Sequence, residues 1–261
     1  EILSGLVGSE MCIRDRFFSA NDLGNYTRAQ QFSSLPSSNV SGILQRVTFP
    51  VLSSIQNEDE RLSRNYRKIL KTSAFLIFPM MLMLSAVAAP LIRVLLTDKW
   101  VGCIILLQII CFDMMWYPIH AINLSLLTLK GRSDLFFRLE IIKKIVGVCI
   151  MCVTIPHGVI WMVSGSVVSS MIALIINTYY TGKLIRVGYL KQMGDVLPIF
   201  GVALFMWFVI HVSLLLTPNI YIQLPVGICV GSLTYIICAK MLLKSEWADA
   251  MSMLPRKFKR K

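Results

Sequence analysis

Arg28 and Arg46 are the two residues of this chain whose type and spacing most clearly suggest chemistry. They fall in one predicted helical stretch and are 18 residues apart, which is five turns at 3.6 residues per turn, so they share a face. Gln31, Asn39, Gly42 and Ser53 lie on the same face, and Val40, Ile43, Leu44, Val47 and Val51 lie on the other. This pattern is typical of a helix with one side in lipid or protein and the other in a wet, cationic cavity.

A simpler interpretation of the two arginines stays open. Pro36 can break the phase of the helix, and Phe32 and Leu35 interrupt its polar side. In that case Arg28 only extends its charged end to the outer water interface, and Arg46 pairs with a carboxylate of another helix.

Asp113 and His120 are a second pair of candidates, for the coupling of transport to a cation or a proton. Seven residues, about two helical turns, separate them, so they lie nearly on one face. Ionisable side chains inside a membrane span cost several kcal/mol and usually face a cavity or a partner. The alternative is that Asp113 pairs with an arginine of a neighbouring helix and that His120 bonds to a backbone carbonyl.

Other patterns argue against catalysis and against metal binding. Cys149 and Cys152 form a CxxC pair in apolar surroundings, without the second pair or flanking His of a zinc site. The sequence contains no phosphate-binding P-loop and no Ser/His/Asp arrangement with supporting context. The spacings of Gly227 with Gly231 and of Gly165 with Ser169 favour close helix packing. We therefore expect no catalytic residue, no metal and no cofactor.

Apolar stretches of bilayer length must position these residues. A span needs about 20 mainly apolar residues, and the sequence contains about seven such stretches. The first, Arg28 to Ile55, is the least apolar; the others are Thr72–Leu95, Val101–Leu127, Leu139–Ile155, Val159–Tyr180, Val196–Leu216 and Ile220–Leu243. None shows the period-2 alternation of a barrel strand, so the prediction is an all-α integral membrane fold.

The distribution of basic residues predicts the orientation of the spans. The chain is 56% hydrophobic with a mean hydropathy of +0.67, yet its net charge is +12, which in a soluble protein would suggest nucleic acid binding. Here Lys and Arg concentrate in alternate gaps, at 61–71, 130–144, 183–191 and 240–261, whereas Thr97–Trp100, Ile155–Gly158 and Thr217–Asn219 hold one Lys in total. The positive-inside rule makes the basic gaps and the C-terminal tail cytoplasmic, and no nucleic acid partner is expected.

The first residues of the chain are predicted not to be natural protein. The segment LVGSEMCIRDR, residues 6–16, looks like an in-frame translation of a transposon-based sequencing-library adapter. We expect residues 1–16 to be this artefact and the natural sequence to begin near Phe17 as a C-terminal fragment.

Five short motifs carry a resemblance to a known family. The runs LGNYTRAQQFSSLP, RVTFPVLSSIQ, FP within the next span, DKW and KGRSD occur in order at matching membrane positions. The chain thereby resembles the C-terminal half of the Wzx-like bacterial polysaccharide exporters, the O-antigen and capsule flippases of the multidrug/oligosaccharidyl-lipid/polysaccharide superfamily. The resemblance implies a parent of about fourteen helices in two lobes. Residues 17–195 would be an incomplete C-terminal lobe, 196–243 two additional helices and 244–261 a basic cytoplasmic tail.

The resemblance also implies a cargo and a location. The cargo would be an oligosaccharide on undecaprenyl pyrophosphate, flipped across the bacterial inner membrane by alternating access. The guanidinium groups of Arg28 and Arg46 match pyrophosphate oxygens, and amides and hydroxyls suit the glycan; the candidates for this second role are Gln31, Ser38, Asn39, Gln45 and Asn123. A glycan polymerase and glycosyltransferases are the expected protein partners.

Three rival functions stay open at this point. A multidrug and toxin exporter of the same superfamily predicts a less basic cavity and an essential carboxylate in the other half of the protein. A membrane-embedded glycan polymerase or acyltransferase predicts a large outward loop or a catalytic His, and the outward gaps here are only a few residues long. A membrane scaffold without transport activity is disfavoured by the polar first span.

Overall fold

The structure is a computed structural model that describes residues 18–253, apart from the side chains of 43–45, 47–49, 51 and 250–253. Across this range the chain forms α-helices and two short 3-10 turns and no β-strand, which confirms the all-α prediction. The helices are α1 (Ala20–Ser54), α2 (Asp59–Ala86), α3 (Ala88–Leu96), α4 (Gly102–Met114), α5 (Tyr117–Leu129), α6 (Ser133–Thr154), α7 (Val159–Ile185), α8 (Tyr189–Leu215), α9 (Ile220–Leu242) and α10 (Lys244–Met253).

Among the described residues, five helical segments are long and apolar enough to cross a membrane. They are α2, the α4–α5 pair, α7, α8 and α9, so the chain is a multi-pass membrane protein. The sequence predicted about seven spans. The other two segments do fold as helices of 35 and 22 residues, α1 and α6, but they are more polar than the rest. Helix α6, for example, carries four charged residues: Arg138, Glu140, Lys143 and Lys144.

Two of the predicted spans are each divided by a break in the helix. The stretch Thr72–Leu95 comprises the end of α2 and all of α3, with Val87 between them at φ −89° and ψ 9°. The stretch Val101–Leu127 comprises α4 and α5, which are separated at Met115 and Trp116. The second break has a direct cause, because Pro118 has no N–H to donate to the carbonyl of Met114, four residues earlier.

Helix α1 is continuous over its whole length. Ser19 caps its N-terminus by accepting a 3.2 Å hydrogen bond from the backbone N–H of Asp22, and the helix continues through Pro36 and Pro50. The phase between Arg28 and Arg46 is therefore preserved, and the objection that Pro36 raised does not hold.

Helix α2 is the centre of the bundle. Of its most apolar stretch, 72% is buried, against 22% for α7 and for α9, which lie at the periphery. It packs against α1, α4, α5, α8, α9 and α10, and Tyr66, Phe78 and Met81 are among its fully buried side chains. Pro79 within α2 leaves the carbonyl of Phe75 without its helical donor, and the Tyr235 hydroxyl of α9 donates to that carbonyl at 2.7 Å.

Glycines allow α9 to approach its neighbours closely. A Cβ atom on Gly227 would lie 2.7 Å from Cγ1 of Val87, and one on Gly231 would lie 2.6 Å from Cδ1 of Ile210. The small-residue spacing predicted from the sequence is thus a packing feature.

Ion pairs join α2, α8 and α10 at one end of the bundle. The Arg67 guanidinium donates two hydrogen bonds to the Asp195 carboxylate, at 2.6 and 2.7 Å. Lys71 lies 3.4 Å from Asp195 and 3.2 Å from Glu246, and Lys68 lies 2.6 Å from Asp249. The predicted tail 244–261 therefore begins as a docked helix, α10; residues 254–261, like the predicted artefact 1–16, lie outside the described residues.

Candidate functional site

The predicted polar stripe lies on one exposed side of α1. Arg28, Gln31, Ser38, Asn39 and Arg46 are all exposed there, together with Leu35. The opposite side is buried against α2, α4 and α5, through Ala29, Ser33, Ser37, Ser41 and Leu52. The side chain of Gln45, another predicted binding residue, lies outside the described residues.

Arg28 is held in place by two neighbours. Its Nη1 donates a 3.1 Å hydrogen bond to Oε1 of Gln31, and its guanidinium carbon lies 5.7 Å from the ring centroid of Trp100. Trp100 also packs against α1 at Gly24, where an added Cβ would meet the indole ring at 3.6 Å. The indole face offers a flat apolar surface beside a fixed cation, an arrangement suited to an anionic or sugar ligand.

Arg46 lies on the same side of the helix, toward its C-terminal end. Across the residues that the structure describes, no carboxylate lies within ion-pair distance of Arg46. The alternative in which a carboxylate neutralises Arg46 therefore has no support within that part of the chain. Its guanidinium can donate to an external anion.

Ser38 and Asn39 lie between the two arginines. Ser38 Oγ donates to the Ser34 carbonyl at 2.6 Å, and Asn39 Nδ2 donates to the Leu35 carbonyl at 2.7 Å. These bonds use one donor of each side chain, so both oxygens and the second amide hydrogen of Asn39 remain available to a ligand.

Asn123, a weaker candidate for glycan binding, does not belong to this site. It is fully buried between α5, α7 and α8, where it exchanges 3.1 Å hydrogen bonds with Gln192 and accepts a 2.6 Å bond from the Thr181 hydroxyl. Its amide is thus satisfied by the bundle itself, and that expectation was wrong.

Asp113 and His120 lie in a separate, partly buried cluster with two residues of α7 that the sequence analysis did not single out. His120 Nε2 lies 3.2 Å from Ser170 Oγ, and His120 Nδ1 lies 3.1 Å from Nδ2 of Asn177. Ser170 also interacts with the Asp113 carboxyl group. Within the described residues, Asp113 has no arginine partner and the His120 ring has no carbonyl partner, so neither alternative is supported.

Contacts bring two of the predicted inner loops together at one end of the bundle. Lys130 Nζ donates to the carbonyl of Gln56 and to the Asp59 carboxylate, both at 2.7 Å, which joins two of the predicted inner loops. Trp100, from a predicted outer gap, contacts the opposite end of α1 at Arg28. Glu140 and Lys143 of α6 form an ion pair whose two side chains are mostly buried.

Comparison with known proteins finds similarity to proteins of polysaccharide biosynthesis. Residues 11–105 match the profile of a family described as polysaccharide biosynthesis protein. The chain is 28% identical over 173 residues to a protein of Klebsiella pneumoniae described as an uncharacterized membrane protein in the cps region, covering 64% of this chain and 35% of that protein. It is 29% identical over 128 residues to the lipopolysaccharide biosynthesis protein WzxC of Escherichia coli K12, covering 49% of this chain and 26% of WzxC.

A solved structure shares the fold. The lipid II flippase MurJ, in its inward closed conformation, superposes with a TM-score of 0.74 at 19% identity, covering 88% of this chain and 49% of MurJ. The chain therefore spans about half the length of the solved flippase and between a quarter and about a third of the two curated relatives. The resemblance to bacterial polysaccharide exporters predicted from the sequence is confirmed, as is the helical membrane fold.

Proposed function

We propose that this chain is part of a flippase that moves an undecaprenyl-pyrophosphate-linked oligosaccharide across the bacterial inner membrane by alternating access. The oligosaccharide would be a unit of O-antigen, capsule or exopolysaccharide. The names of the relatives support this class of cargo, and the fold of a lipid II flippase supports this mode of action. Flipping requires no covalent step, so no side chain is assigned to catalysis.

The observation that carries the proposal is the exposed cationic side of α1. Helix α1 buries small and apolar side chains on one side and leaves two arginines and three other polar side chains exposed on the other. In a membrane protein such a side requires water or a polar ligand, because charged groups in contact with hydrocarbon cost several kcal/mol. The arginines would bind the pyrophosphate, whose oxygens accept paired hydrogen bonds from a guanidinium.

The glycan would lie along the same side of α1. Gln31 and Asn39 offer amide groups, and Gln45 belongs to the same proposed set by its place in the sequence. The indole of Trp100, beside Arg28, would stack against a sugar ring at the outer end of the stripe.

The orientation and the partners belong to the same proposal. The C-terminus and the basic loops would be cytoplasmic, and a glycan polymerase and glycosyltransferases would act on the same lipid-linked unit. Cysteines introduced singly at Arg64 and Arg132 should be shielded from impermeant external thiol reagents, whereas one at Asp98 should react. The reverse labelling pattern would invert the orientation.

The test of function is complementation with the full-length protein in a strain that lacks its own exporter. Arg46→Ala removes a charge-assisted contact worth about 1.5–3 kcal/mol, so cargo affinity should fall tenfold or more. Surface glycan should drop and lipid-linked glycan should accumulate inside at normal protein levels. Arg46→Lys, which keeps the charge but not the paired donors, should restore only part of the activity.

Arg64→Ala is the matched control, because Arg64 is exposed and lies beside Glu60 at 3.8 Å, away from the stripe. It should leave surface glycan unchanged. Normal surface glycan from a normally expressed Arg46→Ala variant would refute the role of Arg46. Drug efflux without any effect on glycan would indicate the multidrug exporter instead.

A further inference from the structure

A chain of polar side chains connects α4, α5 and α7 inside the bundle. It runs from Asp113 through Ser170 to His120 and ends at Asn177. Nε2 of His120 lies 3.2 Å from Oγ of Ser170, and Nδ1 of His120 lies 3.1 Å from Nδ2 of Asn177. Among these four side chains, two buried atoms have no hydrogen-bond partner in the described part of the protein: Oδ1 of Asp113 and Oδ1 of Asn177. Unsatisfied buried acceptors are rare and costly, particularly in a membrane protein.

The orientation of the Asn177 amide corresponds to one tautomer of a neutral His120 imidazole. Asn177 Nδ2 can only donate, so Nδ1 of His120 is the acceptor and the proton of the neutral imidazole sits on Nε2. Nε2–H then donates to Ser170 Oγ, which leaves the Ser170 hydroxyl hydrogen free to donate to the Asp113 carboxylate.

The same residues can accommodate one more proton. If a hydronium ion transfers a proton to Nδ1 of His120, one N–H bond forms there, a water molecule is left behind and the imidazole becomes a cation. Rotation of the Asn177 amide by half a turn then presents Oδ1, the atom that now lacks a partner, as the acceptor for this new N–H. The imidazolium remains linked through Ser170 to the Asp113 carboxylate.

The charges around the cluster favour uptake of a single proton. From α4, Asp113 contributes one negative charge. From α6, the positive charge of Lys143 opposes protonation of His120, and the pairing of Lys143 with Glu140 offsets this effect. From α2, the buried Tyr66 lies beside Thr181 and Gln192, and the arginines of α1 lie on its exposed side. With His120 neutral the group carries one net negative charge, and one proton neutralises it. Neutral clusters are strongly favoured in a membrane interior.

A direct contact connects this cluster to the α1 stripe. Ser37 Oγ on α1 donates a 2.9 Å hydrogen bond to the carbonyl of Met114, the residue after Asp113. That carbonyl is available because Pro118 cannot donate to it. Ser37 is two residues before Asn39, so this one hydrogen bond would pass a movement of the α4–α5 break to the stripe.

We propose that Asp113, Ser170, His120 and Asn177 form a binding site for one exchangeable proton whose occupancy shifts α1 through Ser37 and Met114. The role of this site in transport, the coupling of proton movement to cargo movement, rests on the proposed function. The proton site itself can be tested without transport.

The experiment measures how fast a cysteine at position 39 reacts with a thiol reagent between pH 5 and pH 8. Asn39→Cys is made in the full-length protein after its native cysteines are replaced, and its rate is divided by that of Asp98→Cys to remove the reagent's own pH dependence. The normalised rate should change by about fivefold or more across this range, as for ordinary coupling between two sites. His120→Gln and Asp113→Asn should abolish the change.

Two further variants separate a proton site from a merely structural one. Ser170→Thr keeps the hydroxyl and should keep the pH response, whereas Ser170→Ala should lose it. His211→Gln is the histidine control, because His211 stacks on Trp207 with ring centroids 4.1 Å apart, and it should respond like the parent protein.

A pH-independent rate in the parent protein, or an unchanged response in both His120→Gln and Asp113→Asn, would overturn the proton site. A pH response that depends on His120, together with no glycan-flipping activity in the protein that keeps Asn39, would instead refute the proposed function and leave the proton site standing.

Discussion

The Tyr235 hydroxyl donates a 2.7 Å hydrogen bond to the carbonyl of Phe75, the one carbonyl of α2 that Pro79 deprives of its helical donor. The two residues are 160 positions apart in sequence, and their rings also pack with centroids 5.4 Å apart. A proline in the central helix and a tyrosine in a peripheral helix thus form one structural unit.

This relationship predicts a compensating pair of substitutions. Tyr235→Phe should lower the free energy of unfolding by about 1–3 kcal/mol, because a buried carbonyl loses its donor. In a Pro79→Ala background the backbone N–H of residue 79 can donate to Phe75, so the same substitution should then have much less effect. Thermal unfolding of the four proteins in detergent measures the coupling. Tyr221→Phe, at a tyrosine that is 73% exposed, should be neutral. Equal losses in both backgrounds would disprove the unit.

The approach of α9 to the bundle predicts a steric effect at one glycine and none at another. Gly227→Val places atoms against Val87 and should destabilise the protein by about 1–3 kcal/mol. Gly201→Val is the control, because nothing lies within 4 Å of an added Cβ there. Unfolding measurements that rank the two variants equally would show that α9 packs differently.

The ion cluster between α2 and α8 predicts unequal effects of two similar substitutions. Asp195→Asn leaves Arg67 and Lys71 without the carboxylate that both contact, and the side chain of Asp195 is only 6% exposed. We expect a loss of about 1–3 kcal/mol, less than for a fully buried pair because Arg67 is half-exposed. Asp134→Asn breaks the pair with Arg132, whose two side chains are about half-exposed, and should change stability much less than Asp195→Asn. A larger loss from Asp134→Asn would reverse this ranking.

Docking of α10 should depend on pH in the acid range. Burial raises the pKa of Glu246, but hydrogen bonds from Ser245, its own backbone N–H and Lys71 outweigh burial and hold that pKa below its ordinary value of 4.5. A depressed pKa stabilises the docked helix above the unfolded value, and this contribution is lost as the pH falls through the folded value. Proteolysis within residues 244–253 should therefore accelerate below about pH 4.5. In Glu246→Gln it should already be faster at pH 7, with little further change on acidification; an unaltered pH profile would contradict this account.

Trp100 should act through Arg28. If the indole holds the guanidinium by a cation–π contact worth about 0.5–1 kcal/mol, Trp100→Leu should reduce flipping about two- to fivefold. Trp100→Phe, which keeps an aromatic face, should be milder. In an Arg28→Ala background the loss caused by Trp100→Leu should disappear. An equal loss in both backgrounds would indicate that Trp100 contacts the cargo independently of Arg28.

Much of the fold could be predicted from the sequence because hydropathy and charge are sums over many side chains. The long apolar stretches that became α7, α8 and α9 agree with the predicted spans, and the polar side of α1 follows from helical period alone. The breaks at Val87 and at Met115 could not be predicted in this way. They depend on single backbone groups, such as the N–H that Pro118 lacks. A hydropathy average over 20 residues does not detect the loss of one such group.

The candidate site was predicted less completely, because burial depends on partners far away in sequence. Asn123 looked available to a glycan, but its partners Thr181 and Gln192 lie 58 and 69 positions away and close around it. Ser170 and Asn177 were missed because a serine or an asparagine in an apolar helix carries no signal of its own. Only their distances to His120 single them out.

The bond between Tyr235 and Phe75 also bears on the order in which the protein can be assembled. When α2 leaves the ribosome, the donor that its central carbonyl needs has not yet been synthesised, and it arrives only with α9, after six further helices. The most buried helix of the bundle must therefore wait in an incompletely bonded state while the intervening helices insert. A nascent chain truncated before α9 should for this reason be a preferred substrate of membrane quality-control proteases.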